Sequence, residues 1–343
     1  MLATCDRPLN LADVLRPWLV LAVLLAALPA RGGGLTLEEL QSLPRDCPLV
    51  YDNDWLQDTP DIYYLLVKAH QGSADLRGLV LTKDQWDDDR QYRVEQGLED
   101  FRKTIAVARR AGLQRIPEIT IGAERKLARP ASGRIEDAEA PRSAGAELIV
   151  RQARLASPQK PLLVFVGGPP TTVAGAYLID PSIADRVIVF MTDLQGYNGG
   201  DAWANAILAT RLKMANYGAN PVWWPQRPAE PVMPLERFRQ LPRNPLVADV
   251  ERIAKAFWQR STRREKPDRD DGFADGAGIF LLFKPQSWKS VRKMKVTGAF
   301  SARVADDRDY DYLDAVDLDY ALMREEFFST LSNAELPGSQ EGK

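Results

Sequence analysis

The stretch VYDNDWLQDTPDIYYLL, residues 50–66, decides the fold. An apolar run ends in Asp52 and Asp54, and a helix-like segment follows after Asp58. Two interpretations of these acids are open. Carboxylates that converge repel one another unless a cation or a proton joins them, and oxygen ligands of this kind suit calcium. Alternatively, the Thr-Pro that follows is an ordinary helix start, where acids complement the helix dipole.

The composition is that of a globular α/β protein. The 343-residue chain is 45% hydrophobic and 27% charged, with a net charge of −2. Both signs of charge are interspersed, so no nucleic-acid surface is expected. No internal repeat divides residues 47–333, and a single domain is predicted there, followed by a flexible tail over 334–343.

The N-terminus has the pattern of a signal peptide. Arg16 is followed by PWLVLAVLLAALPA, residues 17–30, an apolar core that is shorter than the roughly 20 residues of a membrane span. We expect cleavage near Ala30, then a linker over 31–46, and therefore an exported protein, periplasmic or secreted. The alternative is an apolar N-terminal helix packed on the domain.

Strand and helix signals alternate along the rest of the chain. Apolar strands that do not alternate with polar residues, separated by amphipathic helices, indicate an open, mostly parallel sheet with helices on both faces, an α/β fold related to the Rossmann type. Ligands of such folds bind beyond the carboxyl ends of the strands. Strands are predicted at 47–54, 77–83, 117–124, 160–166, 185–194, 220–225 and 315–319, a hairpin at 295–304, and helices at 60–72, 94–111, 201–215, 245–259 and 274–283.

The order of several motifs resembles that of the inosine-uridine-preferring nucleoside hydrolases. That family opens with a strand ending in Asp-x-Asp-x-Gly-x-Asp-Asp, to which residues 52–59 are similar. FVGGPPTTVAGAYLIDPSIADRVIVF, residues 165–190, resembles the family's mid-chain strand, Gly-Pro turn and helix. Further similarity lies in NGGDAWANA (198–206), FADGAGIFLLF (273–283) and AVDLDYALMREEFF (315–328). The resemblance spans roughly residues 47–333 and implies a nucleoside hydrolase-like fold.

The resemblance also implies roles for particular residues. The family's calcium ligands correspond to Asp54, Thr59, the Gly167 carbonyl and Asp275. Asp52 or Asp61 is a candidate to replace the carboxylate oxygens that Thr59 lacks. The residue that takes a proton from water corresponds to Asp54. The residues expected to hold the ribose or stack on the base are Asp58, Asn205, Trp203 and Trp55.

Three departures from the family pattern bear on this site. Thr59 stands where the family has a metal-binding Asp, which removes carboxylate oxygens and should weaken calcium binding. Trp203 replaces an acid, and Ala274 stands where the family often has a histidine that assists the leaving base. The chain's only histidine is His70, at the end of the first predicted helix of the domain.

The function implied is calcium-assisted hydrolysis of N-glycosidic bonds in ribonucleosides or related ribosides. The expected partner is a small nucleoside or riboside, with no nucleic acid and, after signal cleavage, no membrane; a homo-oligomer stays open. The rival hypothesis is a binding protein for ribose-like ligands on the same scaffold, which the three departures favour. Another hydrolytic reaction of the same carboxylates is a third possibility.

Overall fold

Nine strands form one sheet in the part of the chain that the structure describes. The structure is a computed structural model and describes residues 35–54, 61–83, 94–192, 201–217, 234–262, 276–297, 301–305, 309–334 and 336. The strands are β1 (Pro48–Asn53), β2 (Asp75–Leu81), β3 (Ile119–Ile121), β4 (Leu162–Val166), β5 (Val187–Met191), β6 (Lys213–Asn216), β7 (Trp288–Thr297), β8 (Ser301–Val304) and β9 (Tyr312–Leu318).

The sheet order is β3-β2-β1-β4-β5-β6-β9-β7-β8. Pairing is parallel from β3 through β9, and β7 and β8 add an antiparallel extension. Because the chain order reverses between β1 and β4, the carboxyl ends of these two strands border the crevice where α/β sheets bind ligands.

Helices cover both faces of the sheet, and each face has its own apolar core. One core takes residues from α1 (Leu37–Gln41), α2 (Asp61–His70), α3 (Val94–Arg110), α7 (Leu235–Phe238), α8 (Pro245–Thr262), α9 (Ala277–Phe283) and α10 (Tyr320–Ser332). The other takes them from α4 (Ala144–Leu155), α5 (Thr171–Ile179) and α6 (Ala202–Arg211). Short 3₁₀ turns also lie, among the described residues, at Ile135–Asp137, Pro181–Ile183 and Pro285–Ser287.

Strand β1 contributes side chains to both cores. Leu49 and Tyr51 belong to the first core and Val50 to the second, since successive side chains of a strand point to opposite faces. All three are fully buried, which is why the strand reads as an uninterrupted apolar run. The predicted fold class, an open and mostly parallel sheet covered on both faces, is confirmed.

Two predicted elements differ from the structure. The helix expected over 201–215 ends at Arg211, and Lys213–Asn216 forms β6 instead. The hairpin expected over 295–304 is present, but its first strand already begins at Trp288. The strand predicted over 220–225 and the proposed signal peptide lie outside the described residues.

The described part of the predicted linker packs on the domain. Thr36 caps α1 through a reciprocal pair of bonds with Glu39, a capping box. Leu35 and Leu40 are each only 1% exposed and belong to the first core. None of the described helices combines the length and apolar character that a bilayer span requires.

We predict that Leu40→Ala lowers the free energy of unfolding by about 2–4 kcal/mol, because it removes a buried side chain and leaves a cavity. Glu38→Ala, on the exposed side of the same helix, should change it by less than about 0.5 kcal/mol. Urea unfolding of both variants checks this. Equal, small effects would mean that α1 does not belong to the cooperative unit.

Candidate functional site

The carboxyl ends of β1 and β4 bring Asp54 against the turn that follows β4. The Gly167 N–H donates to the carbonyl oxygen of Asp52 at 2.9 Å, which extends the β1–β4 pairing into the turn. A Cβ on Gly168 would lie 2.8 Å from the Asp54 backbone nitrogen and 2.9 Å from its Cβ. Glycine at 168 therefore permits the close approach, and Asp54 is only 4% exposed.

Asp52 is held inside the protein by Thr82, which in turn contacts Thr172 of another element. Thr82, just beyond β2, donates from Oγ1 to Asp52 Oδ1 at 2.5 Å. The same hydroxyl lies 2.5 Å from Thr172 Oγ1 at the start of α5, and Thr172 Oγ1 accepts from the Ala123 N–H at 2.8 Å. This cluster, the Asp52–Thr82–Thr172 network, joins β1, β2, the end of β3 and α5.

Burial raises the pKa of Asp52 to about 8, and the hydrogen bond from Thr82 offsets only part of that rise. Its Oδ2 atom is buried and meets no hydrogen-bond partner among the described residues. Asp52 is thus protonated near neutral pH unless positive charge approaches that oxygen.

A second buried carboxylate organises the neighbouring loop. Asp201 caps α6 by accepting from the Ala204 N–H at 3.0 Å. Its other oxygen accepts from Thr171 Oγ1 at 2.6 Å and from the Leu127 N–H at 2.7 Å. The start of α5, the start of α6 and the loop after β3 are therefore fixed relative to one another at the carboxyl edge.

Trp203 and Asn205 both lie in the first turns of α6. Asn205 is fully buried. Trp203 is half-buried and packs against the second core, and the guanidinium carbon of Arg129 lies 5.2 Å from its ring centroid. The Trp203 Nε1–H is buried and donates to no atom of the described residues.

Asp61, at the start of α2, lies against Gly276. It is 1% exposed, and a Cβ on Gly276 would overlap its carboxylate. Gly276 directly follows Asp275 in the chain, so the peptide next to the predicted late metal ligand approaches the entry of α2. Asp275 itself, together with Trp55, Asp58 and Thr59, lies outside the described residues.

His70 lies at the other end of α2, away from the edge that carries Asp54. The helix has 10 residues, which corresponds to a length of about 15 Å. His70 Nδ1 accepts from the Gln114 backbone N–H at 3.1 Å, so the imidazole is engaged in a structural contact there.

The sequence matches no protein-family model and no curated protein. Solved structures do match. A plant nucleoside hydrolase aligns at a TM-score of 0.61 and 14% identity, over 84% of this chain and 100% of its own. A purine-preferring ribonucleoside hydrolase from Gardnerella vaginalis aligns at 0.57 and 16%, over 84% and 98%. An inosine-uridine-preferring nucleoside hydrolase from Bacillus anthracis aligns at 0.54 and 11%, over 83% and 99%.

The chain has the nucleoside hydrolase fold. The family resemblance of the sequence is thus confirmed at the level of fold, across nearly the whole length of each solved structure, although sequence identity is low. Within this fold, the structure brings Asp52, Asp54 and the Gly167–Gly168 turn together at the end of two adjacent strands.

The donors present at this edge of the nucleoside hydrolase fold fit calcium in kind. Carboxylate and backbone carbonyl oxygens are the ligands that calcium prefers, and Asp54 and Gly167 offer both. The buried Oδ2 of Asp52 is a further oxygen without a described partner. Within the described residues alone, no three acidic, histidine or cysteine side chains form a group able to hold a metal ion.

Sequence reasoning did not identify Thr82, Thr172 and Asp201 as part of this edge. Thr82 is 30 residues from Asp52 and 90 from Thr172, so their contacts arise only from the sheet order. One signal was available, because Thr82 and Asp52 both end apolar strands that the sequence predicts.

We predict that the stability difference between Asp52→Asn and the wild type depends on pH. Since the folded state holds the Asp52 proton with a pKa of about 8, against about 3.9 unfolded, wild-type stability from this group falls as pH rises between those values. Asparagine cannot titrate, so the variant gains relative to the wild type from pH 5 to pH 8.

The measurement is the free energy of urea unfolding of both proteins at pH 5, 6, 7 and 8, with a chelator present to remove divalent cations. Thr210→Ala, which breaks a hydrogen bond from the Thr210 hydroxyl to a backbone carbonyl elsewhere in α6, serves as a non-titrating control. A wild-type-to-variant difference that stays constant with pH would contradict the buried, protonated state of Asp52.

Proposed function

We propose that the protein hydrolyses the N-glycosidic bond of ribonucleosides or related ribosides. The observation that carries this proposal is the buried Asp54 at the end of β1, in contact with the glycine turn after β4, within a nucleoside hydrolase fold. The solved structures that share the fold are named as nucleoside hydrolases, one purine-preferring and one inosine-uridine-preferring.

Asp54 is the proposed general base. The Asp54 side chain is 4% exposed and has little water around it, so water screens its interactions with neighbouring charges only weakly. In the proposed reaction it takes a proton from the attacking water while positive charge develops on the ribose, and the negative charge nearby stabilises that charge. The close approach of Gly168 packs the backbone and Cβ of Asp54 against the turn after β4.

Calcium is the proposed cofactor, held by Asp54 and the Gly167 carbonyl, with Asp52, Thr59 and Asp275 as the further proposed ligands. When bound, it would supply the positive charge that makes water easier to deprotonate. Asp58, Asn205, Trp203 and Trp55 are proposed to bind the substrate.

One observation favours a second candidate, a binding protein for ribose-like ligands. Trp203 stands where the family has an acid, and it packs against the second core beneath Arg129 instead of supplying negative charge. An aromatic ring with a buried, unused N–H in the described structure can stack on or donate to a ligand without promoting catalysis.

The test is Asp54→Asn, assayed for ribose release from a panel of purine and pyrimidine ribonucleosides with calcium present. We expect turnover to fall by at least about 100-fold, the usual scale for losing a general base. Asp180→Asn is the matched control, because Asp180 ends α5 at the opposite edge of the sheet and pairs with Arg154. Its turnover should stay within about twofold of the wild type, because the substitution lies away from the carboxyl ends of the strands.

Isothermal titration with ribose and with nucleosides, in the presence of calcium, separates the hydrolase from the binding protein. Wild-type protein that binds ribose or a nucleoside but turns over none of the panel supports the binding protein. Turnover that survives Asp54→Asn at the wild-type rate would overturn the assignment of the base.

We also propose export through the signal peptide of residues 1–30. The proposal is supported by Arg16 and the apolar run of residues 17–30. Expression with the native N-terminus in a bacterial host should deliver a protein to the periplasm or medium that begins near residue 31. N-terminal sequencing and intact mass check this, and a chain retained with Met1 would contradict it.

A further inference from the structure

A basic groove lies at the amino ends of the parallel strands, whereas Asp54 lies at their carboxyl ends. It has a volume of about 880 Å³, and its lining includes residues just before or at the start of β1, β2 and β4. Since β1 has six residues, the groove and Asp54 are separated by about 20 Å along the strand. The groove is thus distinct from the candidate active site.

The groove has more cationic than anionic side chains. Six basic side chains face three acidic ones, which leaves an excess of three positive charges. The basic residues are Arg45, Lys68, Arg77, Arg115, Lys160 and Lys284. A concave surface with an excess of one sign of charge concentrates ligands of the opposite sign.

The three acids are all engaged in ion pairs. Asp46 accepts from Lys160 at 2.6 Å, and that hydrogen bond lowers the pKa of Asp46. Asp75 pairs with Arg77 at 2.7 Å. The groove therefore has no acid left over to neutralise its remaining cations.

Glu326 is the third acid, and it is shared by two lysines. Lys68 lies 2.8 Å and Lys284 3.0 Å from its carboxylate. Burial alone would raise the pKa of Glu326, but the hydrogen bonds from both lysines outweigh it and lower the pKa. The carboxylate is thus ionised and neutralises one of the two lysines, so this triad contributes one net positive charge.

Arg45 and Arg115 supply the rest of the excess. Both side chains are exposed, and neither forms an ion pair with any residue that the structure describes. Lys68 and Lys284 lie in or next to the last turns of α2 and α9, where the helix carbonyls favour a positive side chain. Arg45 and Arg115 lie in no helix, so the helix dipole does not explain their presence.

Arg115 is also held in an unusual backbone conformation. Its φ is +59°, the one positive value among the described residues other than glycine. An L-residue adopts this region at a cost, and such residues concentrate at functional sites. The Arg115 guanidinium lies directly over Gly72, where a Cβ would meet Nη1 at 2.5 Å, so the glycine makes room for it at the groove.

We propose that this groove binds a small anion that carries two or more phosphate groups. Arginine presents a planar fork that matches phosphate oxygens, and lysine adds point charges, so the mixture of both around one cavity fits several phosphate groups at once. The cavity volume lies within the range of small-molecule sites. This inference is independent of the proposed function of the opposite edge.

The test is isothermal titration of the purified full chain with inorganic pyrophosphate and tripolyphosphate, at constant ionic strength and without divalent cations. We expect the wild type to bind both anions. The dissociation constant should rise about tenfold in Arg115→Gly and, separately, about tenfold in Arg45→Gln, which corresponds to the loss of one charge-assisted hydrogen bond. Arg115→Gly suits the test because glycine adopts a positive φ without cost, so the variant should unfold at no lower urea concentration than the wild type.

Arg151→Gln, an exposed arginine of α4 on the other face of the sheet, removes the same charge elsewhere and should leave binding unchanged. Equal loss in Arg151→Gln and the groove variants would overturn the proposal, because the binding would then reflect net charge alone. Citrate or a short single-stranded RNA that binds more tightly than tripolyphosphate would overturn the assignment to a small phosphate-bearing anion. Absence of binding at millimolar pyrophosphate and tripolyphosphate would overturn it altogether.

Discussion

A buried carboxyl group and the two threonines that follow it in a chain of hydrogen bonds hold the carboxyl ends of the strands together. Asp52, Thr82 and Thr172 come from β1, the end of β2 and the start of α5, and their side chains form one continuous set of hydrogen bonds. Polar groups in a protein interior are costly unless they are bonded, so this network fixes one arrangement of the three elements. Asp54 follows two residues after Asp52, and its position depends on that arrangement.

The two ends of the parallel strands carry different ionisable side chains. Buried acidic side chains lie beyond the carboxyl ends of the strands, where Asp52, Asp54 and Asp61 are each at most 4% exposed. Cations collect in the groove beyond the amino ends. The two proposed sites are thus about 20 Å apart, so that a ligand in one would not obstruct the other.

Much of the fold could be predicted from the sequence because buried parallel strands are apolar on both faces. The runs that became β1 and β4 are unbroken, and each central residue of β4 is fully buried. β6 was missed because KMAN is only four residues long and directly follows α6, so its polar lysine and asparagine resemble a helix end. The start of β7 at Trp288 is hard to predict because four charged residues, Lys289, Arg292, Lys293 and Lys295, leave no continuous apolar run.

The site was less predictable than the fold. Asp54 and Gly167 could be proposed because they end strands whose pattern is local. The contacts of Asp52 with Thr82, and of Asp201 with Leu127 and Thr171, join segments 30 or more residues apart, and no local pattern specifies them. The sequence alone shows that Trp203 stands where the resembled family has an acid. The contact between Trp203 and Arg129 depends on how the loop after β3 lies over α6.

The position of His70 has a consequence for the choice of leaving group. The one imidazole of the chain accepts a backbone hydrogen bond at the far end of α2, so it cannot donate a proton at the carboxyl edge. In the proposed hydrolysis, a departing base would then have to leave as an anion, carry its own proton or receive one from a group other than imidazole. The proposed site would therefore favour leaving groups that are stable as anions over those that need a proton as they depart.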